Sequence, residues 1–283
     1  MLSSNVKKID TRRLRSWLFT PATRPERFEK AFEACADALI VDLEDAVAPA
    51  DKDTARQTAF SYLLNREAET GTVALRINGL DTIAGINDLH ALLNSEVDPE
   101  VIVLPKASSF EQLGILANLL AVSGKAARVV AIIETAGALA EIEKLAQAPK
   151  LLGLMFGAAD MAADLGAATS WEGLIYARQR LVAAAASSNI LPIDAPFFDI
   201  HDSDGGAKEV QQALEIGFRA KAAIHPRHIE AINQSLTPSA DMVEQARRIL
   251  AENGKGVGVV DGKMIDEAVA RKARRVLSMA GAD

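Results

Sequence analysis

Val129-Val130-Ala131-Ile132-Ile133-Glu134-Thr135-Ala136-Gly137 and, one helix-length later, Leu151-Leu152-Gly153-Leu154-Met155-Phe156-Gly157-Ala158-Ala159-Asp160 decide how this chain folds. The apolar runs Val129–Ile133 and Leu151–Phe156 each read as a buried strand. Between them, Ala136–Gln147 has a helical pattern with Glu141, Glu143 and Lys144 as its charged positions. Strand, helix and strand make one βαβ unit with parallel strands. An acid follows each strand: Glu134 directly, Asp160 after a Gly-Ala-Ala turn. Both strand ends lie on the same rim, where two carboxylates repel unless a cation sits between them or one takes up a proton. We read the pair as ligands of one hard divalent ion, magnesium. Either acid alone reads equally well as a helix cap; the matched placement of the two favours the metal.

The same alternation extends outward in both directions. Upstream, Ser16–Thr20, Ala38–Leu43, Val73–Ile77 and Val101–Leu104 read as strands. Helical patterns follow them at Arg24–Ala36, Lys52–Arg66, Ile83–Leu93 and Phe110–Ser123. Downstream come a helix at Trp171–Ser188, a strand at Ile190–Ile193, a helix near Gly206–Ile216 and a strand at Ala220–Ile224. Strict alternation implies an α/β protein with a parallel sheet. Eight such units imply a closed (β/α)8 TIM barrel, for which roughly 250 residues is the usual size. A doubly wound open sheet is the weaker alternative, because no Gly-x-Gly-x-x-Gly turn follows the first strand. The barrel is expected over residues 1–235 and a C-terminal helical extension over 236–283. That extension has helices at Ser239–Glu252 and Glu267–Met279 joined by a glycine-rich stretch, residues 253–258. It is expected to pack on the outside of its own barrel or to reach a neighbouring subunit.

Composition narrows the function. A chain of 283 residues, 49% hydrophobic, sustains a large core. Its net charge of −7 argues against a polyanion-binding surface, so no nucleic acid is expected as a partner. No run approaches the ~20 apolar residues of a membrane span, and Met1–Arg15 has no apolar signal core. Cys35 is the sole cysteine, which excludes an intrachain disulfide or a cysteine zinc cluster and suits a reducing cytoplasm. No Gly-x-Ser-x-Gly elbow, Walker loop or Cys-x-x-Cys is present.

In a TIM barrel the chemistry sits at the C-terminal rim of the strands. The rim candidates are Glu44, Asp45, Arg76, Lys106, Glu134, Asp160, Asp194 and His225. An acidic rim with a few cations suits a metal and a small anionic substrate, whose carboxylate Arg76 would clamp bidentately. Arg76 reads alternatively as a salt-bridge partner of Glu44 and Asp45, Asp194 as a cap, and His225 as a packed core residue. Lys106 reads as an ion-pair partner on so acidic a rim, with a Schiff-base nucleophile as the less favoured role.

With these residues in place, the chain resembles the citrate lyase β-subunit and its relatives, the citryl-, malyl- and citramalyl-CoA lyases of the HpcH/HpaI aldolase superfamily. The likeness covers nearly the whole chain. It is carried by Arg15-Ser16-Trp17-Leu18-Phe19-Thr20-Pro21, Val41-Asp42-Leu43-Glu44-Asp45-Ala46, Leu75-Arg76-Ile77-Asn78 and Leu104-Pro105-Lys106. Ile133-Glu134-Thr135, Gly157-Ala158-Ala159-Asp160, Ala223-Ile224-His225-Pro226 and Gly262-Lys263-Met264-Ile265-Asp266 continue it. The resemblance implies Mg2+ held by Glu134 and Asp160, and a homotrimer or hexamer. It implies substrate contacts from Phe19, Arg24, Arg76, Glu134, Ile224 and His225, with Arg24 near the CoA phosphates. Arg76, Glu44, Asp45 and Asp266 would be catalytic, Asp266 entering a neighbouring subunit's site from the tail; the residue reads otherwise as the N-cap of the last helix. The implied reaction cleaves a 3-hydroxyacyl-CoA to acetyl-CoA and a 2-oxo acid. Many relatives carry an acid where this chain has Ala159, so a hydrogen bond to the metal ligands is expected to be missing. The Met-Ile-Asp tail is expected to favour a free-standing lyase over a citrate lyase subunit acting on citryl-acyl-carrier protein.

Overall fold

A computed structural model describes residues 9–66, 71–253, 258–260 and 263–282. Its strands are β1 (Ser16–Pro21), β2 (Ala38–Asp42), β3 (Thr72–Arg76), β4 (Val101–Leu104), β5 (Arg128–Ile133), β6 (Leu151–Phe156), β7 (Leu191–Asp194) and β8 (Ala220–Ala223). They pair in chain order, all parallel, and β8 closes onto β1. This is the (β/α)8 barrel expected from the alternation. Closure buries each strand on both faces, which is why β2, β5 and β6 are almost continuously apolar rather than alternating.

Side chains alternate across each strand, and the alternation divides the core in two. Trp17, Ile40, Ala74, Val103, Ile132, Met155 and Ile193 fill the barrel interior. Leu39, Val41, Leu75, Ile102, Ala131 and Leu154 point outward and pack under the helices. The helices are α1 (Phe28–Glu33), α2 (Lys52–Asn65), α3 (Ile83–Leu93), α4 (Phe110–Val122), α5 (Ala136–Ala140), α6 (Ile142–Leu145), α7 (Ala158–Leu165), α8 (Trp171–Ser187), α9 (Ser203–Ile216) and α10 (Ile229–Ser235). Side-chain N-caps start several of them: Thr82, Ser109, Thr135 and Ser170 each accept an N–H from three residues on.

Three local expectations are corrected. Arg24–Ala36 is a 3-10 turn, Pro25–Arg27, followed by the short α1, because Cys35 turns left-handed at φ 61° and stops the helix. Ala136–Gln147 breaks at Glu141 into α5 and α6. The Gly-Ala-Ala segment is no simple turn: α7 begins at Ala158, so Asp160 sits in its first turn. The eighth strand is followed by α10.

Beyond the barrel come α11 (Ala240–Asn253), an antiparallel hairpin of β9 (Gly258–Val260) with β10 (Lys263–Ile265), and α12 (Glu267–Ala280). The hairpin was not anticipated, and residues 254–257 of the expected joint lie outside the described residues. Ala273 and Leu277 of α12 pack with Ala246 of α11. The helix also touches the 3-10 turn Thr11–Arg13 beside the start of β1. Among the described residues, no helix is long and apolar enough to cross a membrane.

Candidate active site

A cavity of about 410 Å³ opens at the C-terminal rim, lined among others by Phe19, Asp42, Asp45, Arg76, Glu134, Met155, Gly157, Asp160, Phe198 and Ile224. Glu134 and Asp160 therefore face one space. Strand parity explains the first: Val130 and Ile132 point into the barrel, and Glu134 continues their side just past β5. Asp160 reaches the same space from the first turn of α7, where the helix N-terminus favours an acid.

Glu134 is held tightly. Its Oε1 accepts the Lys106 backbone N–H at 2.6 Å. Lys106 stands in the left-handed region at φ 49°, a conformation uncommon outside glycine. On the other side, a Cβ at Gly157 would lie 2.5 Å from both Cβ and Oε2 of Glu134, so only glycine leaves the carboxylate its place. Burial first, then the charges of Asp160 and Glu44, push the Glu134 carboxyl up to about 7 against the opposing Lys106 N–H and charge. Two acids facing one space resist ionising together. Among the described residues no group of three or more His, Cys, Asp or Glu is arranged to hold a metal. A pair is sufficient for magnesium, which keeps several waters and often takes only one or two carboxylates from the protein.

Arg76 enters from the end of β3 and is engaged by acids of the β2 end. Its Nε and Nη2 donate to Oδ1 and Oδ2 of Asp42 at 2.7 and 2.6 Å. Nη1 lies 2.6 Å from Glu44 Oε2 and 3.6 Å from Asp45 Oδ2. The Phe19 ring underlies the guanidinium, its centroid 4.7 Å from Cζ. Burial alone would lower the arginine's proton affinity, but these carboxylates, Asp42 foremost, raise it. Glu44 is itself raised, by burial first and by Asp45 and Asp42, against the pull of Arg76 and Lys106. The bidentate clamp expected on a substrate is thus made to Asp42 in the free chain.

The remaining candidates divide. Ile224 is on the cavity wall and 41% exposed, with Phe198 beside it in the lining. Lys106 sends Nζ to Glu44 Oε1 at 3.4 Å. Partial burial would lower its ammonium, but Glu44, Asp160, Asp45 and Glu134 together raise it. Arg24 is exposed in the β1–α1 connection, and His225 caps the 3-10 turn Pro226–His228 through Nδ1. Neither is in the described cavity lining. Asp266 is exposed, accepts the Val269 N–H at 2.9 Å as the N-cap of α12, and is also outside that lining. Asp194 leaves the rim altogether. Leu191 and Ile193 face the interior, so Asp194 faces outward and is fully buried against Arg178 Nε at 2.8 Å and Lys221 Nζ at 2.6 Å. Asp42 was not among the rim candidates. The signal was present as the parity Ala38, Ile40, Asp42, but a strand apolar on both faces hides which parity looks inward.

Comparison with known proteins assigns the chain to a family. Residues 15–226 match the family model described as HpcH/HpaI aldolase/citrate lyase. The L-malyl-CoA/beta-methylmalyl-CoA lyase of Rhodobacter capsulatus is 33% identical, over 94% of each chain. The citrate lyase subunit beta of Escherichia coli K12 is also 33% identical, over 99% of this chain and 97% of its own. That match spans nearly the full length of both chains. Among solved structures, CitE of Mycobacterium tuberculosis in complex with magnesium, acetoacetate and coenzyme A superposes with a TM-score of 0.80 at 34% identity, covering 95% of this chain and 99% of CitE. On the barrel and these matches, the chain belongs to the HpcH/HpaI aldolase/citrate lyase family.

Proposed function

We propose that this chain is a magnesium-dependent carbon–carbon lyase that cleaves a 3-hydroxyacyl-CoA thioester to acetyl-CoA and a 2-oxo acid. The observation that carries the reading is the pair Glu134 and Asp160 facing one cavity across from Arg76. Glu134 and Asp160 would hold magnesium, which supplies Lewis acidity to the substrate's hydroxyl and carboxylate oxygens. Lys106, through its N–H, keeps Glu134 turned toward that position. Arg76 offers positive charge to the oxygen that becomes negative as the bond breaks. The 3-hydroxyl gives its proton to a rim carboxylate, Glu44 or Asp45, the bond between C2 and C3 opens, C3 becomes the oxo carbon, and the electron pair passes to the thioester enolate. Asp266 of a neighbouring copy, in its protonated form, gives a proton to that enolate; this needs an assembly of copies, which we take to be a homotrimer or hexamer. Phe19, Arg24, Ile224 and His225 hold the CoA ester. A soluble cytoplasmic setting fits this substrate.

Citramalyl-, citryl- and malyl-CoA are the candidate substrates, releasing pyruvate, oxaloacetate or glyoxylate. A side-by-side assay of the three with and without magnesium tests the reading. Turnover of at least one, abolished by chelator and by Glu134→Ala, is expected; chelator-resistant turnover overturns it. A Schiff-base aldolase on Lys106 is the weaker reading, since the surrounding acids keep that amine protonated. Borohydride trapping of an oxo acid on Lys106 would favour it. Action on citryl-acyl-carrier protein inside a complex is the other reading, favoured if isolated chain is inert toward all three CoA esters yet active on the acyl-carrier substrate.

A further inference from the structure

We infer that Asp42 is a positioning residue for the reaction: it fixes the guanidinium plane of Arg76 so that only the Nη1 edge is offered to the substrate. The inference rests on the lyase reading for its kinetic consequence, while the alignment itself is a property of the chain. Asp42 and Arg76 are direct partners across β2 and β3. Both lie on the inward parity, Asp42 two residues beyond Ile40 and Arg76 two residues beyond Ala74. The Asp42 side chain is 1% exposed, and its two oxygens take Nε and Nη2 while Oδ1 also accepts the Glu44 N–H at 2.8 Å. Two parallel charge-assisted bonds determine an orientation as well as an energy. Phe19 closes one face of the guanidinium.

Nη1 is held differently. Glu44 Oε2 is close enough for an ion pair but is buried without a hydrogen-bond partner, so the geometry of that contact is poor. Asp45 stands at 3.6 Å on a side chain 64% exposed. One edge of Arg76 is therefore bolted to the barrel and the other merely neutralised. A substrate oxygen arriving in the cavity replaces the loose acids at Nη1 without disturbing the Asp42 pair. Glu44, displaced, retains the Lys106 ammonium. Preorganised charge of this kind costs no reorientation when the bond breaks.

The test is a double-mutant cycle with Asp42→Asn and Arg76→Ala, read as single-turnover rate and as CoA-ester KM. Asp42→Asn alone is expected to lower the rate roughly 10- to 100-fold, leaving KM and the magnesium Kd within about threefold. In the Arg76→Ala background it is expected to cost less than twofold more, because nothing remains to position. An equal loss in both backgrounds overturns the inference, as does an unchanged rate in Asp42→Asn. A second measurement needs neither turnover nor a folded Asp42 variant. The Arg76 Nε–H resonance of wild-type protein, assigned by its loss in Arg76→Lys, is expected to exchange slowly with water; exchange as fast as at exposed Arg24 sinks the alignment. Wild-type protein inert toward every ester but with a protected Nε–H would refute the lyase reading alone.

Discussion

Glu134 carries the most informative single titration in the molecule. Its carboxyl is raised from 4.5 to about 7, chiefly by burial and then by the charges of Asp160 and Glu44. If Glu134 is the proposed magnesium ligand, a proton and the cation compete for that oxygen pair, so magnesium affinity should rise with pH up to about 7 and level off above it. Below that value the Kd should weaken about tenfold for each pH unit. The metal-free protein shows the other side of the linkage. A carboxyl whose folded value exceeds its unfolded value favours the fold when protonated, a contribution fully present below about 4.5 and lost as pH rises through 7. At one fixed magnesium concentration the stabilisation should therefore be small at pH 5.5 and several degrees larger in Tm at pH 8. Calorimetric titration and thermal melts across that range check both statements; a pH-independent Kd would contradict them.

Strand alternation decides which rim acids serve the cavity and which serve the core. The barrel was readable because doubly buried parallel strands leave uninterrupted apolar runs, and each strand start lies within one residue of its expected place, as with β4 at Val101–Leu104. The same lack of alternation hid facing: nothing in Ala-Leu-Ile-Val-Asp or Leu-Pro-Ile-Asp distinguishes an inward from an outward acid. Closure turns Asp42 to the cavity and Asp194 to the helices. Helix starts at polar caps such as Ser109 and Ser170 were legible for a local reason, whereas α7, with neither cap nor long run, was not. The outward placement of Asp194 has a measurable consequence. It neutralises Arg178, itself stacked on Phe156 and Trp171, and Lys221, which also pairs with Glu209. Asp194→Ala strands one or both of these cations in the core, a change that costs about 3–5 kcal/mol. A drop in Tm of about 10 °C is expected for a chain of this size. The magnesium Kd, set by other strands, should stay within threefold. Denaturant melts and calorimetry decide it; a large loss of metal binding in a folded Asp194→Ala protein would return Asp194 to the site.

At the scale of the whole molecule, the tail is the part whose role depends on a second copy. Asp266 begins α12, beyond the hairpin, and its carboxylate is spent on capping its own helix rather than on the cavity of its own chain. If the proton donor comes from a neighbour, each site is built from two chains, and defects in different chains can complement each other. Glu134→Ala removes the proposed metal ligand from the barrel that carries it, and Asp266→Ala removes the proposed donor from the adjoining site. Each variant alone should be inactive. Co-expressed in equal amounts and randomly assembled into a closed ring, a site is whole only when an Asp266→Ala barrel meets a Glu134→Ala tail. Half of the barrels and half of the tails qualify, so about a quarter of wild-type turnover should return. Sequential purification through a different affinity tag on each variant confirms that the two assemble together. Hetero-assembly without recovered turnover would place the donor within a single chain and leave α12 with a purely structural role.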